Sequence, residues 1–179
     1  VNPFEDLMLN GNALPSSTVI VRKTILDLAG SISEDINLVA VEDYDYWLKL
    51  SEVCRFLYSD TILAYYHVHA NMGTATESEP MRRKRLLIQR RAMARPRFQQ
   101  LTPIQQAHIY TQVGASIAAI EGDMLHAREM LNKALQLHPW LLQARLYWLV
   151  TWLGRRGVNA LNQMRRVVLK ARGQRFPKL

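Results

Sequence analysis

The residues best suited to chemistry lie in the segment 41–50, which reads VEDYDYWLKL. Adjacent carboxylates at Glu42 and Asp43 follow an apolar run and precede a helical pattern that contains Trp47. A carboxylate within hydrogen-bond reach of a hydroxyl can act as a general base. The same two acids could instead cap the helix, because the helix dipole favours acids in the first turn. Both interpretations place the pair at the start of a helix over residues 43–53.

Two further segments flank this pair. Residues 15–23 read PSSTVIVRK, and residues 63–69 read LAYYHVH. Their β-branched and aromatic composition predicts strands at 17–22, 56–58 and 61–67. A short helix is predicted over 23–29, with Gly30 after its last residue as the C-cap. His67 and His69 alternate on the last strand and should face opposite sides, so one of them is interpreted as a structural histidine.

The order of these landmarks is similar to one family. A Ser-Ser-apolar-Arg strand, a Gly before a loop, a Glu-Asp pair leading into a D-x-W-L helix, and a Tyr-x-x-His strand end follow one another between residues 12 and 73. This part of the chain resembles the C-terminal, acceptor-side half of the inverting, GT-A-type glycosyltransferases of family 2. Four landmarks in the right order are more specific than any one of them.

The resemblance implies a role for each matched residue. Asp43 would take the proton of an acceptor hydroxyl, and Glu42 would position the acceptor or the base. The other implied roles are substrate binding by Ser17, Trp47 and His67, and metal ligation by His69. His67 stands where the family has an arginine, which weakens a phosphate contact there at neutral pH. For Trp47, packing behind the base is the alternative.

The resemblance also implies a nucleotide-sugar donor, a glycan or lipid-linked acceptor, and a divalent cation, Mg or Mn, in the full-length enzyme. The family's nucleotide-binding half, with its βαβ pattern and Asp-x-Asp metal motif, does not precede residue 41. Asp43-Tyr44-Asp45 has the form Asp-x-Asp, but too little chain precedes it to build a sugar-nucleotide site. We therefore expect this chain alone to be catalytically silent.

The charge divides the chain into two segments. Residues 1–79 carry a net charge of −8 and residues 80–179 a net charge of +16. The first is predicted to be the acceptor-side half of the transferase domain. The second is predicted to be a basic helical region, with helices over 81–94 and from Pro103 onward. The predicted class is α+β and mostly α, with a few short strands in a partial GT-A half followed by antiparallel helices.

The helical region contains one pattern similar to a tetratricopeptide repeat. Ala115, Gly122-Asp123, Ala127 and Ala134 occur at the small-residue spacing of such a helix pair within 102–139. A second copy after Pro139 is degenerate, so no solenoid is expected. The pattern predicts two antiparallel helices in close contact that pack on the first half or on another subunit.

The basic region has several candidate partners. The run 82–85 reads RRKR and could be a solvated helix face, a contact for an anionic membrane or a protein, or a nucleic-acid contact. Nucleic acid is the least favoured because aromatic residues do not interleave with the basic ones. The lone Cys54 excludes an internal disulfide and suits a reducing, cytoplasmic location. A peripheral place at the inner face of the membrane is an alternative that depends on the basic helical tail. The competing function is a non-catalytic helical module that binds a protein partner.

Overall fold

A computed structural model describes residues 3–59, 61–62, 64–65 and 78–171. Nine α-helices occupy these ranges. They are α1 Pro3–Asn10, α2 Lys23–Ala29, α3 Glu42–Val53, α4 Glu79–Met93, α5 Pro96–Gln99, α6 Pro103–Ser116, α7 Met124–Leu137, α8 Leu142–Val150 and α9 Gly154–Ala171. Short 3-10 turns cover Ser16–Thr18, Ile36–Leu38 and Thr151–Leu153, and a π-helical turn covers Ile117–Glu121.

The described residues contain no strand, so the predicted α+β class is wrong and the fold is all-α over these ranges. The strand predicted at 17–22 is absent. Ser16–Thr18 forms a 3-10 turn instead, and the side chain of Ile20 is 99 % exposed. Residues 56–58 are irregular, and Leu57 is 95 % exposed. β-branched residues favour extended backbone, but a strand also needs a neighbour that accepts its backbone hydrogen bonds. The strand predicted at 61–67 lies partly outside the described residues, and its described residues are not in a strand.

Local sequence chemistry accounts for several helix boundaries. Gly30 follows α2 with a φ of 74°, the left-handed conformation that suits glycine after a helix. Thr102 begins α6 with a capping box in which its side chain accepts from the backbone of Gln105 while Gln105 reaches back to it. Asp123 caps α7 by accepting from the backbone N–H groups of Leu125 and His126. These contacts satisfy backbone donors that a helix start otherwise leaves without partners.

Helices α6 and α7 form the predicted antiparallel pair. The Nζ of Lys133 lies 5.9 Å from the ring centre of Tyr110, while Gly114 faces Leu131, which comes earlier in α7. A Cβ at Gly114 would stand 3.0 Å from both the Ala127 carbonyl oxygen and Leu131 Cγ. The two helices therefore approach each other closely at Gly114, next to the predicted alanine position Ala115. The relation to tetratricopeptide repeats remains a prediction.

One core joins the acidic and the basic segment. Phe4 and Met8 of α1, with Leu48 of α3, belong to the same buried cluster as Leu86 of α4 and Val113 of α6. Helix α1 packs against both α3 and α6. A hydrogen bond also joins the two segments, since the Gln89 side chain of α4 donates to the Met8 carbonyl of α1 at 3.0 Å. The basic region therefore packs on the first segment, as expected.

No helix among the described residues is both long enough and apolar enough to cross a membrane.

Candidate functional site

The candidate site is built at the first turn of α3. The chain enters this helix through Ala40, whose φ of 71° is a left-handed conformation that residues with a Cβ rarely adopt. Val41 follows and is buried, with 5 % of its surface exposed. This sharp entry places Glu42 and Asp43 in the first helical turn, as the sequence predicted. Both side chains remain partly exposed.

The Asp43 carboxylate is held by neutral donors from the loop after α1 and from its own helix. Its Oδ2 accepts from Asn12 Nδ2 at 3.0 Å and from Ser16 Oγ at 3.2 Å. Its Oδ1 accepts from the backbone N–H of Tyr44 at 2.7 Å. A carboxylate oxygen has two lone pairs, so Oδ1 retains a site that can accept a further hydrogen bond. These neutral contacts fix the orientation of the side chain.

Glu42 carries a different feature. Its Oε2 is buried and has no hydrogen-bond partner among the described residues. Burying a carboxylate oxygen without a partner is costly, so such an atom in a native structure calls for an explanation.

Asp45 has a structural environment. Its Oδ1 lies 2.6 Å from Arg95 Nη2, and Arg95 Nη1 also lies 3.2 Å from Glu52 Oε1. The side chain of Asp45 is only 6 % exposed. Asp43 and Asp45 therefore have different partners and do not form a joint metal site.

Side chains of α3 form hydrogen bonds with backbone carbonyls of α1 and of the residues that follow α2. Tyr44 donates to the Leu7 carbonyl at 2.8 Å, and burial raises the pKa of its hydroxyl. Tyr46 donates to the Gly30 carbonyl at 2.9 Å. Lys49 donates to the Ser31 carbonyl at 3.1 Å. These contacts give α3 a fixed position relative to α1 and α2.

Trp47 holds the loop that carries Ser16. It is 7 % exposed, and its Nε1 donates to the Leu14 carbonyl at 3.1 Å. Little of the indole is left for a substrate, so its position fits the packing alternative and an indirect effect on Asp43 through residues 12–16.

The other predicted site residues have varied outcomes. Ser17 is exposed on the 3-10 turn, and it is the preceding Ser16 that reaches Asp43. His67 and His69 lie outside the described residues. Among the described residues, no three His, Cys, Asp or Glu side chains come together in a group that could hold a metal ion.

Sequence reasoning missed Asn12 as a partner of Asp43. The two residues are 31 positions apart, and no motif spacing links them. The one local signal was the loop composition around Gly11 and Pro15, which indicates a turn that could return toward another element.

The basic run on α4 is used largely within the fold. Lys84 Nζ donates to the Val39 carbonyl at 2.6 Å. The ion pairs of this helix and of the residues that follow it are Arg83–Glu79, Arg90–Glu121, Arg91–Asp35, and Arg95 with Asp45 and Glu52. Asp35, Asp45 and Glu52 lie in the acidic segment, so the opposite net charges of the two segments are partly matched across their interface. The interpretation of the basic run as a solvated helix face therefore holds for only part of α4.

No protein family profile matches the chain, and neither the curated proteins nor the solved structures include a significant match.

Proposed function

We propose that this chain supplies the acceptor side of an inverting glycosyltransferase, with Asp43 as its general base. The observation that carries the proposal is the environment of the Asp43 carboxylate. It is partly exposed, it is oriented by Asn12 and Ser16, and its Oδ1 can accept one more hydrogen bond. A base needs this combination of fixed orientation and a free acceptor position.

The proposed reaction is a single displacement. The oxygen of the acceptor hydroxyl bonds to the anomeric carbon of a nucleotide-activated sugar, while the bond from that carbon to the diphosphate breaks. The hydroxyl proton passes to Asp43, and the nucleoside diphosphate leaves with the electron pair of the broken bond. Glu42 would accept a hydrogen bond from a second hydroxyl of the acceptor and so position it beside Asp43.

The donor and any cation belong to other parts of the enzyme in this proposal. The resemblance implies a divalent cation and a nucleotide-binding half. Among the described residues, no group of three or more His, Cys, Asp or Glu side chains could hold the cation, and the proposed displacement does not use it.

The second candidate is a non-catalytic helical module. It is favoured by one observation, that the hydrogen bonds of Asp43 join its own helix to the loop at residues 12–16. A carboxylate with this role would position the loop and would have no part in a reaction. The two candidates predict different consequences for a substitution that keeps the shape of the side chain.

The test uses the coding sequence that contains this chain, including any codons before Val1. The polypeptide is incubated with a panel of nucleotide sugars and with glycan and lipid-linked acceptors, and release of nucleoside diphosphate is measured. Asp43→Asn should abolish transfer. Asp35→Asn is the matched control, since Asp35 also begins a helical turn and pairs with Arg91, which is not a partner of Asp43.

Two outcomes would contradict the proposal. Absence of a nucleotide-binding half upstream, together with no transfer from any donor, would favour the non-catalytic module. Undiminished transfer by Asp43→Asn would remove Asp43 as the base while leaving the transferase function in place.

A further inference from the structure

The C-terminal part of the chain is uniformly basic. Residues 130–179 contain ten Lys and Arg residues and no Asp or Glu. Arg90 and Arg91 of α4 are paired with acids of the fold, whereas the C-terminal part has no acidic side chains of its own to neutralise it. The excess charge of the chain is therefore concentrated around α8 and α9 and the residues that follow them.

Helix α9 presents an apolar stripe to solvent. Gly157, Leu161, Met164 and Val168 follow one another at spacings of four, three and four residues, so they share one helical face. Met164 is 66 % exposed and Val168 49 % exposed. Leu161 is partly buried.

Leu153 extends this stripe beyond the start of α9. A Cβ on Gly157 would stand 2.6 Å from Leu153 Cβ, so the two residues are direct neighbours. Leu153 is 72 % exposed, and Leu149, one turn before it, is 57 % exposed. The apolar surface thus extends from Leu153 along α9, and Leu149 near the end of α8 is a further exposed apolar side chain.

The opposite side of α9 holds it on the protein. Val158 is fully buried. Asn162 Oδ1 accepts from the Tyr147 hydroxyl, and Arg155 Nε donates to the Ala119 carbonyl at 2.9 Å. On a helical projection these three residues lie about 90° or more from the centre of the stripe. The exposed members of the stripe, Met164 and Val168, therefore lie on the side of α9 turned away from the body of the molecule, and Leu161 borders the packed side.

We propose that α9, together with Leu149 and Leu153, binds in the plane of an anionic lipid membrane. A helix with an exposed apolar stripe and a Lys/Arg-rich polar face is typical of segments that lie in the membrane interface. Arg156 and Arg165 stand on either side of the stripe, where their side chains can reach lipid headgroups while the stripe enters the acyl region. This inference uses no residue of the Asp43 site and is independent of the proposed function.

Charge and apolarity together select the lipid surface over other partners. A segment without an acidic side chain complements a uniformly negative plane. Nucleic acid also carries uniform negative charge, but its phosphates offer no apolar phase for Leu153 and Met164. A protein partner would need an apolar groove bordered by acids along the full stripe.

The test is sedimentation of the full chain with vesicles. One set contains phosphatidylcholine only, and the other contains phosphatidylcholine with about one third phosphatidylglycerol. We expect binding to the anionic vesicles that weakens as salt rises. Leu153→Gln and Met164→Gln should each weaken it at least about fivefold, and Arg156→Gln about fivefold.

Ile20→Gln is the matched control, because Ile20 is 99 % exposed and lies on a different part of the chain. It should change vesicle binding less than about twofold, since the binding of an interfacial helix depends on the apolar face of that helix. Far-UV circular dichroism of each variant should match that of the original chain, because the substituted side chains are exposed.

Several results would overturn the proposal. These are equal binding to neutral and anionic vesicles, binding unaffected by Leu153→Gln and Met164→Gln, and an equal loss with Ile20→Gln. Binding to single-stranded DNA without binding to vesicles would assign the surface to nucleic acid. A dimer that Met164→Gln dissociates, with no vesicle binding, would assign it to a second copy of the chain.

Discussion

Replacing Arg95 with methionine should destabilise the fold by about 3 kcal/mol. Arg95 connects the end of α4 to α3, and its side chain is 16 % exposed. Removing one partner of a buried ion pair costs about 3–5 kcal/mol, because the remaining charge loses its compensation. Arg95→Met leaves Asp45 with a 6 % exposed side chain and without its ion-pair partner, whereas Glu52 is 22 % exposed and can be solvated. We therefore expect a cost near the lower end of the range.

A double-mutant cycle isolates this interaction. Asp45→Asn leaves the buried Arg95 with Glu52 as its remaining ion-pair partner at 3.2 Å, so we expect a cost of about 2 kcal/mol. Asp45→Asn combined with Arg95→Met should be less destabilised than the sum of the single variants by about 1–3 kcal/mol. The assay is urea unfolding followed by circular dichroism at 222 nm. A cost below about 1 kcal/mol for Arg95→Met, or additivity within about 0.5 kcal/mol, would refute the reasoning.

Three other substitutions test separate parts of the fold. Gly114→Ala should lower the free energy of unfolding in urea by about 1–3 kcal/mol, because the new Cβ would stand 3.0 Å from Leu131 Cγ and from the Ala127 carbonyl oxygen. An unchanged unfolding midpoint would contradict the α6–α7 contact. Ala40→Gly should raise stability by about 0.5–1 kcal/mol, because glycine adopts the left-handed φ of 71° without the cost that Ala40 bears; a loss would argue against that conformation. The third concerns pH. The Asp123 carboxylate raises the pKa of His126, so its contribution is complete below about pH 6.5 and is lost as pH rises through the higher folded-state pKa. His126 in turn lowers the pKa of Asp123, whose contribution is present above about pH 3.9 and is lost as pH falls through the lower folded-state pKa. His126→Gln should therefore flatten the fall in melting temperature between about pH 6 and pH 8, and an unaltered pH profile would exclude this contact.

Much of the helical architecture could be predicted because its signals are local. Gly30, Pro103 and Asp123 each mark a helix boundary through chemistry that acts within one turn. The predicted strands were wrong, because a strand forms only when a distant segment pairs with it and local composition does not report that pairing. Ile20 has a residue type that favours strands, yet its side chain is almost fully exposed and the described residues offer no ladder for its backbone.

The candidate site was predictable only in part, for the same reason. The position of Asp43 in the first turn of α3 follows from the local pattern of an apolar run followed by acids. Its contacts with Asn12 and Ser16 depend on how α1 and its loop pack against α3. The different environment of Asp45 depends on Arg95, which lies 50 positions along the chain.

The central claim is that Asp43 removes the proton of the acceptor hydroxyl. The most direct measurement is kcat for Asp43→Asn in the polypeptide that shows transfer, with donor affinity and unfolding measured on the same preparation. A general base contributes about 10²–10⁴-fold, so kcat should fall within that range, with donor affinity unchanged and stability lowered by no more than about 1 kcal/mol. A kcat within about threefold of the original value would contradict the claim, since a base cannot be replaced by an amide at so small a loss.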